Sequence, residues 1–304
     1  MIDLSVIICS HNSRVDYLQR VLNALQYQKL PPSQWELLLV DNASSRPLAS
    51  DWDLSWHPNA RHILEHELGL SAARQRGVRE SIGNVIVFVD DDNVLDQNYL
   101  SLALDVERRW PKLGTWGSGA TVPEYELQPA HSVSRLLPYL ALRESNTPRW
   151  GNVFGIDATP WGAGLCVRRQ VAEAYCRHCK QSPIQITGRR GKALSSGEDV
   201  EMSHIACEMG LGMAVFPDLK LIHLIPKERV SGQYLLRMFE GSATSHYVLT
   251  HKWSGQIPSH PFRPRGLLSV VKNLVLLRGL DRRIYLKNLC AVLNARRAIL
   301  EKQH

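Results

Sequence analysis

Three consecutive carboxylates, Asp90, Asp91 and Asp92, are the residues of this chain whose types and spacing best suit chemistry. They follow the apolar run 85–89, whose β-branched and aromatic residues predict a buried strand. Side chains two positions apart on a strand point the same way, so Asp90 and Asp92 can face one ligand. Carboxylate oxygens suit a hard divalent cation that carries substrate phosphates. The stretch predicts an acidic ligand site where the strand ends, with a solvated acidic turn as the alternative.

Two more acidic positions stand at the ends of predicted elements. Asp41 comes directly after the apolar run 35–40, and Glu198 and Asp199 open a helical pattern that follows Ser196-Gly197. Acidic side chains are favoured in the first turn of a helix, because they accept from free backbone N–H groups and interact with the helix dipole. Capping alone can therefore explain Glu198 and Asp199.

The elements that carry these acids alternate regularly in the first third of the chain. A strand over 4–9, a helix over 15–25 and a strand over 35–40 form a βαβ unit, which predicts a parallel sheet with a right-handed crossover. A third repeat predicts a helix over 70–81 before the strand that ends in the aspartates. Ligands bind at the carboxyl ends of such strands, which would make the polar turn residues neighbours of one crevice. These residues are His11, Asn12, Asp41 and Asn42.

Glycine motifs for phosphate binding are missing from the first turn of this pattern. The turn after the first strand contains neither GxGxxG nor GxxxxGK[ST], which argues against a dinucleotide fold fingerprint and a P-loop. Small residues occur later, at Gly162, Ala163 and Gly164. They allow close approach of the backbone to a ligand, or form a tight structural turn. The long polar segment 179–197, with Arg189, Arg190 and Lys192, predicts either a lid or a solvated loop.

Composition indicates an ordinary globular protein. The chain has 304 residues, 44% hydrophobic and 21% charged. Its six cysteines lack the spacing of a disulfide framework, which favours a reducing compartment. The N-terminus passes straight into a strand pattern without the features of a signal peptide, and no run approaches the roughly 18 apolar residues of a membrane span. These features predict a cytoplasmic protein.

Positive charge is concentrated at the C-terminal end. Between Phe262 and Lys302 there are ten Lys or Arg residues against two acids. The net positive charge of this segment therefore exceeds the formal net charge of +7 of the whole chain. The rest of the chain therefore need not attract nucleic acid. Apolar stripes lie beside these cations at 267–277 and 285–293. Such basic amphipathic helices either bind the surface of a membrane, here the inner face of the plasma membrane, or pack on the domain.

Six segments occur in a fixed order over about residues 3–225, namely SVIICSHN, LLLVDNAS, GLSAARQRGV, VIVFVDDDN, WGAGLCVRR and SSGEDVEMSHIACEMGLGMAVFPDLKLIHL. Together they resemble the family 2 inverting glycosyltransferases with the GT-A fold. The resemblance implies an α/β fold with a Rossmann-like, mostly parallel central sheet flanked by helices. It implies a GT-A domain over 1–225, with a nucleotide-binding half (1–95) and an acceptor half (96–225), followed by a basic helical extension over 226–304.

The resemblance also implies roles for individual residues. Asp41 would hydrogen-bond the nucleotide base, typically uracil, and Arg74 would lie near the ribose or phosphates, with an exposed helix charge as the alternative. Asp92 and His223 would bind Mn²⁺ or Mg²⁺, with a core or turn histidine as the alternative for His223. Asp199 would be the general base beside Glu198. The remaining positions that it assigns to nucleotide-sugar binding are Ser10, His11, Asn12, Asp90, Asp91, Gly162, Ala163 and Gly164.

The activity implied by the resemblance is transfer of a sugar from a nucleotide-sugar, with a UDP-sugar expected, to a hydroxyl of a glycan or lipid-linked acceptor. Such an enzyme would act in cell-surface polysaccharide or glycoconjugate synthesis. Two other classes stay open on the residues themselves. A nucleotidyltransferase could use the same acidic metal site, although it usually has a glycine-rich first turn, and a non-catalytic protein could bind a membrane through the basic helices.

Overall fold

The computed structural model describes residues 2–153, 157–182, 184 and 196–301, apart from the side chains of residues 264 and 265. The predicted lid segment with Arg189, Arg190 and Lys192 lies outside the described residues.

Within these ranges the chain forms ten strands and eight α-helices. The strands are β1 (Leu4–Ser10), β2 (Trp35–Asn42), β3 (Ala60–Glu65), β4 (Val85–Asp90), β5 (Asn93–Leu95), β6 (Leu113–Tyr125), β7 (Arg143–Glu144), β8 (Arg149–Gly151), β9 (Leu165–Arg168) and β10 (Gly212–Ile225). The helices are α1 (Val15–Gln26), α2 (Leu70–Glu80), α3 (Tyr99–Arg109), α4 (Arg169–Gln181), α5 (Glu198–Glu208), α6 (Gly232–Ser254), α7 (Pro264–Leu276) and α8 (Gly279–Leu300).

All ten strands belong to one mixed sheet. Its order is β3-β2-β1-β4-β9-β6-β10-β5, with β7 beside β6 and β8 beside β10. The predicted α/β fold is confirmed, and β3, β2, β1 and β4 pair in parallel. From β4 onward the pairings with β9, β6, β7, β8 and β5 are antiparallel. A hydrophobic run identifies a strand, but the direction of that strand in the sheet depends on a partner that is distant in the sequence. The sequence pattern alone therefore did not predict the antiparallel direction of these strands.

The continuous apolar runs of the central strands follow from burial on both faces of the sheet. Every residue of β2 is buried, and β1 and β4 are covered almost as completely. Helix α1 covers one face with Leu18, Val21 and Leu22, at the predicted helical spacing. The edge strand β3 was not predicted, because Ile63 is the sole residue of Ala60–Glu65 that is fully buried.

The chain divides into two compact units. The first comprises 1–124, 141–181 and 198–225, and the second 125–140, 182–197 and 226–304. The first unit ends where the predicted GT-A domain ends. The segment 125–140, predicted within that domain, groups instead with the C-terminal helices, because its 3₁₀ helix His131–Leu140 packs on α6, where the rings of Tyr139 and Phe239 lie 5.2 Å apart.

The second unit is helical, as predicted for the C-terminal extension. It contains α6, α7 and α8, and Ser231 caps α6 by accepting from the backbone N–H of Tyr234. No helix in the described ranges has the length and apolar character needed to span a bilayer.

Candidate active site

The carboxyl ends of β1, β2 and β4 bring the predicted polar residues to one edge of the sheet. In the parallel register Ser10 lies opposite Asp41, and Cys9 lies opposite Asp90. The hydroxyl of Ser10 donates to Oδ2 of Asp91 at 2.6 Å. The triple aspartate therefore forms the continuation of a central buried strand and is tied to the first turn of the chain.

Asp41 organises the loop that follows β2. Its Oδ1 accepts from the backbone N–H of Ser44 and its Oδ2 from that of Leu48, both at 2.9 Å. The neighbouring Asn42 reaches the start of α2, because its Oδ1 accepts from the backbone N–H of Gly69 at 2.8 Å. The carboxylate of Asp41 is buried, and base binding by this residue stays a prediction.

His11 and Asn12 join the first turn to the same loop. Nδ1 of His11 lies 2.7 Å from the carbonyl oxygen of Asn42, and a carbonyl can only accept, so Nδ1 carries the proton. Nε2 then accepts from Nδ2 of Asn12 at 3.0 Å. Asn12 has φ of +50°, a conformation that asparagine tolerates, and its Oδ1 accepts from the backbone N–H and hydroxyl of Ser45. The imidazole is thus oriented by the carbonyl of Asn42 and the side-chain amide of Asn12.

Arg74 links the aspartate stretch to the acidic helix start. Its Nη2 lies 3.4 Å from Oδ1 of Asp90, and its Nη1 lies 3.3 Å from Oε1 of Glu198. The side chain is only 3% exposed, which excludes the surface-charge alternative. Burial lowers the pKa of Arg74, but the carboxylates of Glu198 and Asp90 outweigh it and raise that pKa above its usual value. The guanidinium is therefore a permanent cation between two segments of the site.

The small-residue segment lies against this cation and against Asp199. The backbone N–H of Gly162 donates to Oδ2 of Asp199 at 2.7 Å, and a Cβ at position 162 would come within 2.6 Å of Nη2 of Arg74. Gly164 has φ of +72°, and its carbonyl accepts from the hydroxyl of Tyr99 at 2.6 Å. Packing within the protein therefore requires both glycines, while the predicted contact of Gly162, Ala163 and Gly164 with a ligand stays a prediction.

Glu198 and Asp199 do more than cap α5. The helix begins at Glu198, and Oδ1 of Asp199 accepts from the backbone N–H of Val200, as a first-turn acid can. Their other contacts reach separate segments, Glu198 to Arg74 and Asp199 to Gly162. Glu198 is buried and Asp199 is half-buried, so Asp199 is the carboxylate of the two that remains accessible to a substrate.

Asp92 and His223 face each other across two antiparallel strands. His223 of β10 lies opposite Asn93 of β5, and the backbone N–H of Leu224 donates to the carbonyl of Asp92 at 2.9 Å. Oδ2 of Asp92 lies 3.5 Å from Nε2 of His223. Nδ1 of His223 is buried without a hydrogen-bond partner among the described residues.

This pair fits a divalent ion that takes its other ligands from beyond the described residues, such as a substrate phosphate. The described residues contain no cluster of three or more His, Cys, Asp or Glu side chains able to hold a metal. Mg²⁺ commonly binds one or two carboxylates together with substrate phosphates, and an imidazole is an acceptable additional ligand for transition metals. The donor set therefore suits an ion that arrives with a diphosphate.

Cys9 lies opposite Asp90 in the sheet, and its thiol is poorly suited to act as a nucleophile. Burial raises its pKa to about 12, and the nearby Arg74 guanidinium offsets this only in part. Because the thiolate is the reactive form, covalent catalysis by Cys9 is disfavoured.

Sequence reasoning missed Arg143, which belongs to this region of the first unit. Its guanidinium carbon lies 4.1 Å from the centroid of the Trp161 ring, and Trp161 directly precedes Gly162. Arg143 belongs to the two-residue strand β7, which has no hydrophobic periodicity. The position of Trp161 beside the small residues was the one available signal.

Comparison with known proteins gives a family for the first half of the chain. Residues 5–150 match the family described as Glycosyl transferase family 2. Glycosyltransferase AglE of Haloferax volcanii is 32% identical over 100 residues, which are 32% of this chain and 33% of that protein. The match thus spans about a third of the curated relative's length.

Solved structures share the fold over nearly the whole chain. TarS from S. aureus has a TM-score of 0.54 at 12% identity, covering 100% of this chain and 93% of that one. TarS in complex with UDP-GlcNAc has a TM-score of 0.51 at 14% identity, covering 99% and 92%. The mannosyltransferase PcManGT from Pyrobaculum calidifontis, in complex with GDP-Man and Mn²⁺, has a TM-score of 0.56 at 17% identity, covering 99% and 74%. Residues 5–150 thus carry the sequence match to the family 2 glycosyltransferases, and nearly the whole chain shares the fold of these solved structures.

Proposed function

We propose that this protein transfers a sugar from a nucleotide-sugar to an acceptor hydroxyl, with inversion at the anomeric carbon. The observation that carries the proposal is the buried bridge of Arg74 between Asp90 and Glu198. It couples the strand end suited to a nucleotide diphosphate to the helix start that bears a candidate base. Gly162, which contacts Asp199 and closely approaches Arg74, lies between them.

Asp199 is the residue that we assign to proton removal. Inverting transfer is a single displacement, in which the acceptor oxygen forms a bond to the anomeric carbon as the bond to the diphosphate breaks. The acceptor proton must leave as the new bond forms, and one positioned carboxylate can take it. Backbone N–H groups of Gly162 and Val200 hold the two oxygens of Asp199 in a defined orientation. The mechanism requires no covalent nucleophile, in agreement with the raised pKa of Cys9.

For the donor we propose a UDP-sugar. Related structures contain UDP, UDP-GlcNAc or GDP-Man, so the fold accommodates at least two nucleotides. The position of Asp41 within the resemblance favours uracil. A thermal-shift series with UDP-sugars and GDP-mannose, each with and without Mn²⁺, tests this choice, and stabilisation by GDP-mannose alone would contradict it.

Asp92 and His223 would hold the divalent ion, Mn²⁺ or Mg²⁺. When bound, the ion would neutralise charge that develops on the leaving diphosphate. The facing arrangement of the two side chains supports this assignment.

Replacing Asp92 with alanine is expected to weaken metal-dependent donor binding at least about tenfold, because one of the two protein ligands is lost. Titration calorimetry of UDP in the presence of Mn²⁺ or of a chelator measures the effect without relying on turnover. Asp105→Ala, which removes an exposed carboxylate from α3, is the matched control. Equal UDP affinity of the wild type with metal and with chelator would refute the assignment.

We propose further that α7 contacts an anionic membrane surface, where a lipid-linked acceptor would be available. Its outward face carries exposed apolar side chains, with Leu268 at 76% and Val275 at 73% exposure, whereas Val270 is buried on the opposite side. Exposed cations lie on this helix and just after it, namely Lys272 on α7 and Arg278, Arg282 and Arg283 in the segment that follows. An apolar face flanked by Lys and Arg is typical of helices that lie in the interface of a bilayer with acidic lipids.

The double substitution Leu268→Ser with Val275→Ser is expected to lower binding to acidic vesicles about tenfold or more, because each side chain contributes about 1.5–3 kcal/mol when removed from water. Cosedimentation with vesicles of phosphatidylglycerol and phosphatidylcholine measures it. Val15→Ser, at an exposed apolar residue of α1, is the control. Binding of the double variant at the wild-type level, or failure of the wild type to sediment, would contradict the proposal.

The products separate the proposed activity from the other classes. Metal-dependent release of a nucleoside diphosphate from a nucleotide-sugar, with transfer to a glycan or to water, is the expected result. A nucleotidyltransferase would instead release pyrophosphate from a nucleoside triphosphate and a sugar phosphate, and a non-catalytic protein would release neither.

A further inference from the structure

Arg143 is held rigidly beside the candidate active site. Strand β7 pairs with β6 so that Arg143 lies opposite Thr121. Nη2 of Arg143 donates to the carbonyl of Thr159 at 2.9 Å, and the guanidinium stacks on Trp161 with its carbon 4.1 Å from the ring centroid. A guanidinium in contact with an aromatic ring and one backbone carbonyl has a defined plane, which pre-organises its remaining N–H groups.

The charge of Arg143 is not matched by a direct partner among the described residues. Nη1 is buried and donates to no hydrogen-bond partner there, and no carboxylate in the described ranges lies within ion-pair distance of the side chain. The acids Asp157 and Asp199 act on it only from further away. The buried Arg74, by contrast, contacts two carboxylates. A buried charged donor without an acceptor is costly, so an acceptor from outside the protein would be favourable.

Arg143 nevertheless keeps its charge. Burial lowers its pKa to about 10, and the carboxylate of Asp157 partly opposes this shift. The guanidinium is therefore protonated at neutral pH, in surroundings that penalise an unpaired cation. An oxyanion that accepts from the unpaired N–H groups of Nη1 would relieve that penalty, and carboxylates and phosphates match the guanidinium geometry.

The position of this cation indicates which substrate it would meet. Trp161, under the guanidinium, is followed by Gly162, whose N–H holds Asp199. The acceptor hydroxyl must come to Asp199 if that residue removes its proton. A group attached to the acceptor near the reacting hydroxyl would then lie within reach of Arg143.

We propose that Arg143 binds a carboxylate or phosphate group of the acceptor, which makes this protein selective for negatively charged acceptors. The assignment rests on the proposed function, because it takes Asp199 as the acceptor side of the site. Trp161 is a positioning residue for the guanidinium.

Binding of matched small acceptors tests the proposal. The probes are p-nitrophenyl β-glucuronide against p-nitrophenyl β-glucoside for a carboxylate, and glucose 6-phosphate against glucose for a phosphate. Their dissociation constants are measured by ligand-observed NMR, with and without UDP. The wild type is expected to prefer one charged probe over its neutral partner about 10- to 100-fold, and Arg143→Gln should abolish that preference. Which pair shows the preference identifies the oxyanion.

Two control variants separate a specific site from general charge attraction. Arg149→Gln removes an exposed cation that pairs with Asp157 and should leave the preference unchanged. Arg143→Lys keeps the positive charge but lacks the planar guanidinium, and it should keep only part of the preference for the charged probe.

Equal binding of charged and neutral probes by the wild type, including no detectable binding of either, would overturn the proposal. So would a preference that survives Arg143→Gln or that disappears when UDP occupies the donor side. Failure of the proposed function would give a different result. The wild type would release no UDP from any UDP-sugar, while its preference for the charged probe in binding would persist.

Discussion

Replacing Asp199 with asparagine is expected to lower turnover about 10²- to 10⁴-fold, the usual contribution of a general base, while donor affinity stays the same. Asparagine has nearly the same shape and can still accept from the N–H of Gly162 through its amide oxygen. It cannot take a proton from the acceptor hydroxyl. Turnover is measured as UDP release in the presence of acceptor, and donor affinity as UDP binding by calorimetry.

The loss of turnover should be specific to Asp199 and should not follow from removing any carboxylate. Asp218→Asn, which neutralises an exposed carboxylate on β10, provides the comparison and should keep wild-type turnover. Wild-type turnover of Asp199→Asn would exclude Asp199 as the base. A parallel loss of UDP affinity would instead assign the residue to donor binding.

Replacing Arg74 with methionine is expected to lower the free energy of unfolding by about 3–5 kcal/mol, because removal of one partner leaves a buried charge without its cation. The charge concerned is chiefly that of Glu198, which is as buried as Arg74 itself. Asp90 is partly solvated and should adapt at lower cost. Urea denaturation measures the change.

Arg76→Met provides a close comparison on the same helix. Arg76 is 39% exposed and pairs with Glu80 one turn along, a surface contact expected to contribute less than about 1 kcal/mol. The double variant Arg74→Met with Glu198→Gln should recover part of the loss, since it removes the buried charge as well. Equal destabilisation by Arg74→Met and Arg76→Met would show that the bridge does not stabilise the fold.

Local patterns in the sequence were sufficient for most elements around the site. Alternating apolar runs predicted β1, α1, β2, α2 and β4, because strands and helices that bury a face carry a period that can be recognised without knowing their neighbours. The same patterns brought Ser10, Asp41 and Asp90 to one sheet edge, since parallel strands share their carboxyl ends.

Contacts between distant segments could not be read from such patterns. Arg74 is one of three arginines on α2, and the sequence offered equal reasons to expose it or to use it. Its selection as the buried bridge depends on Glu198, 124 residues away. The position of Arg143 on the two-residue β7 is likewise set by pairing with β6. The antiparallel pairings of β4 with β9 and of β10 with β5 also join segments that are far apart in the sequence.

The amino-acid sequence therefore established the α/β class, the strand ends and the acids that occupy them, because hydrophobic periodicity and chain direction are local properties. The folded chain added the environment of each charge. In the folded chain Arg74 contacts two carboxylates, whereas Arg143 contacts no carboxylate among the described residues. Asp199 accepts from the backbone N–H of Gly162. Burial and charge pairing arise from segments that meet only after folding, which is why residues of the same type acquire different roles.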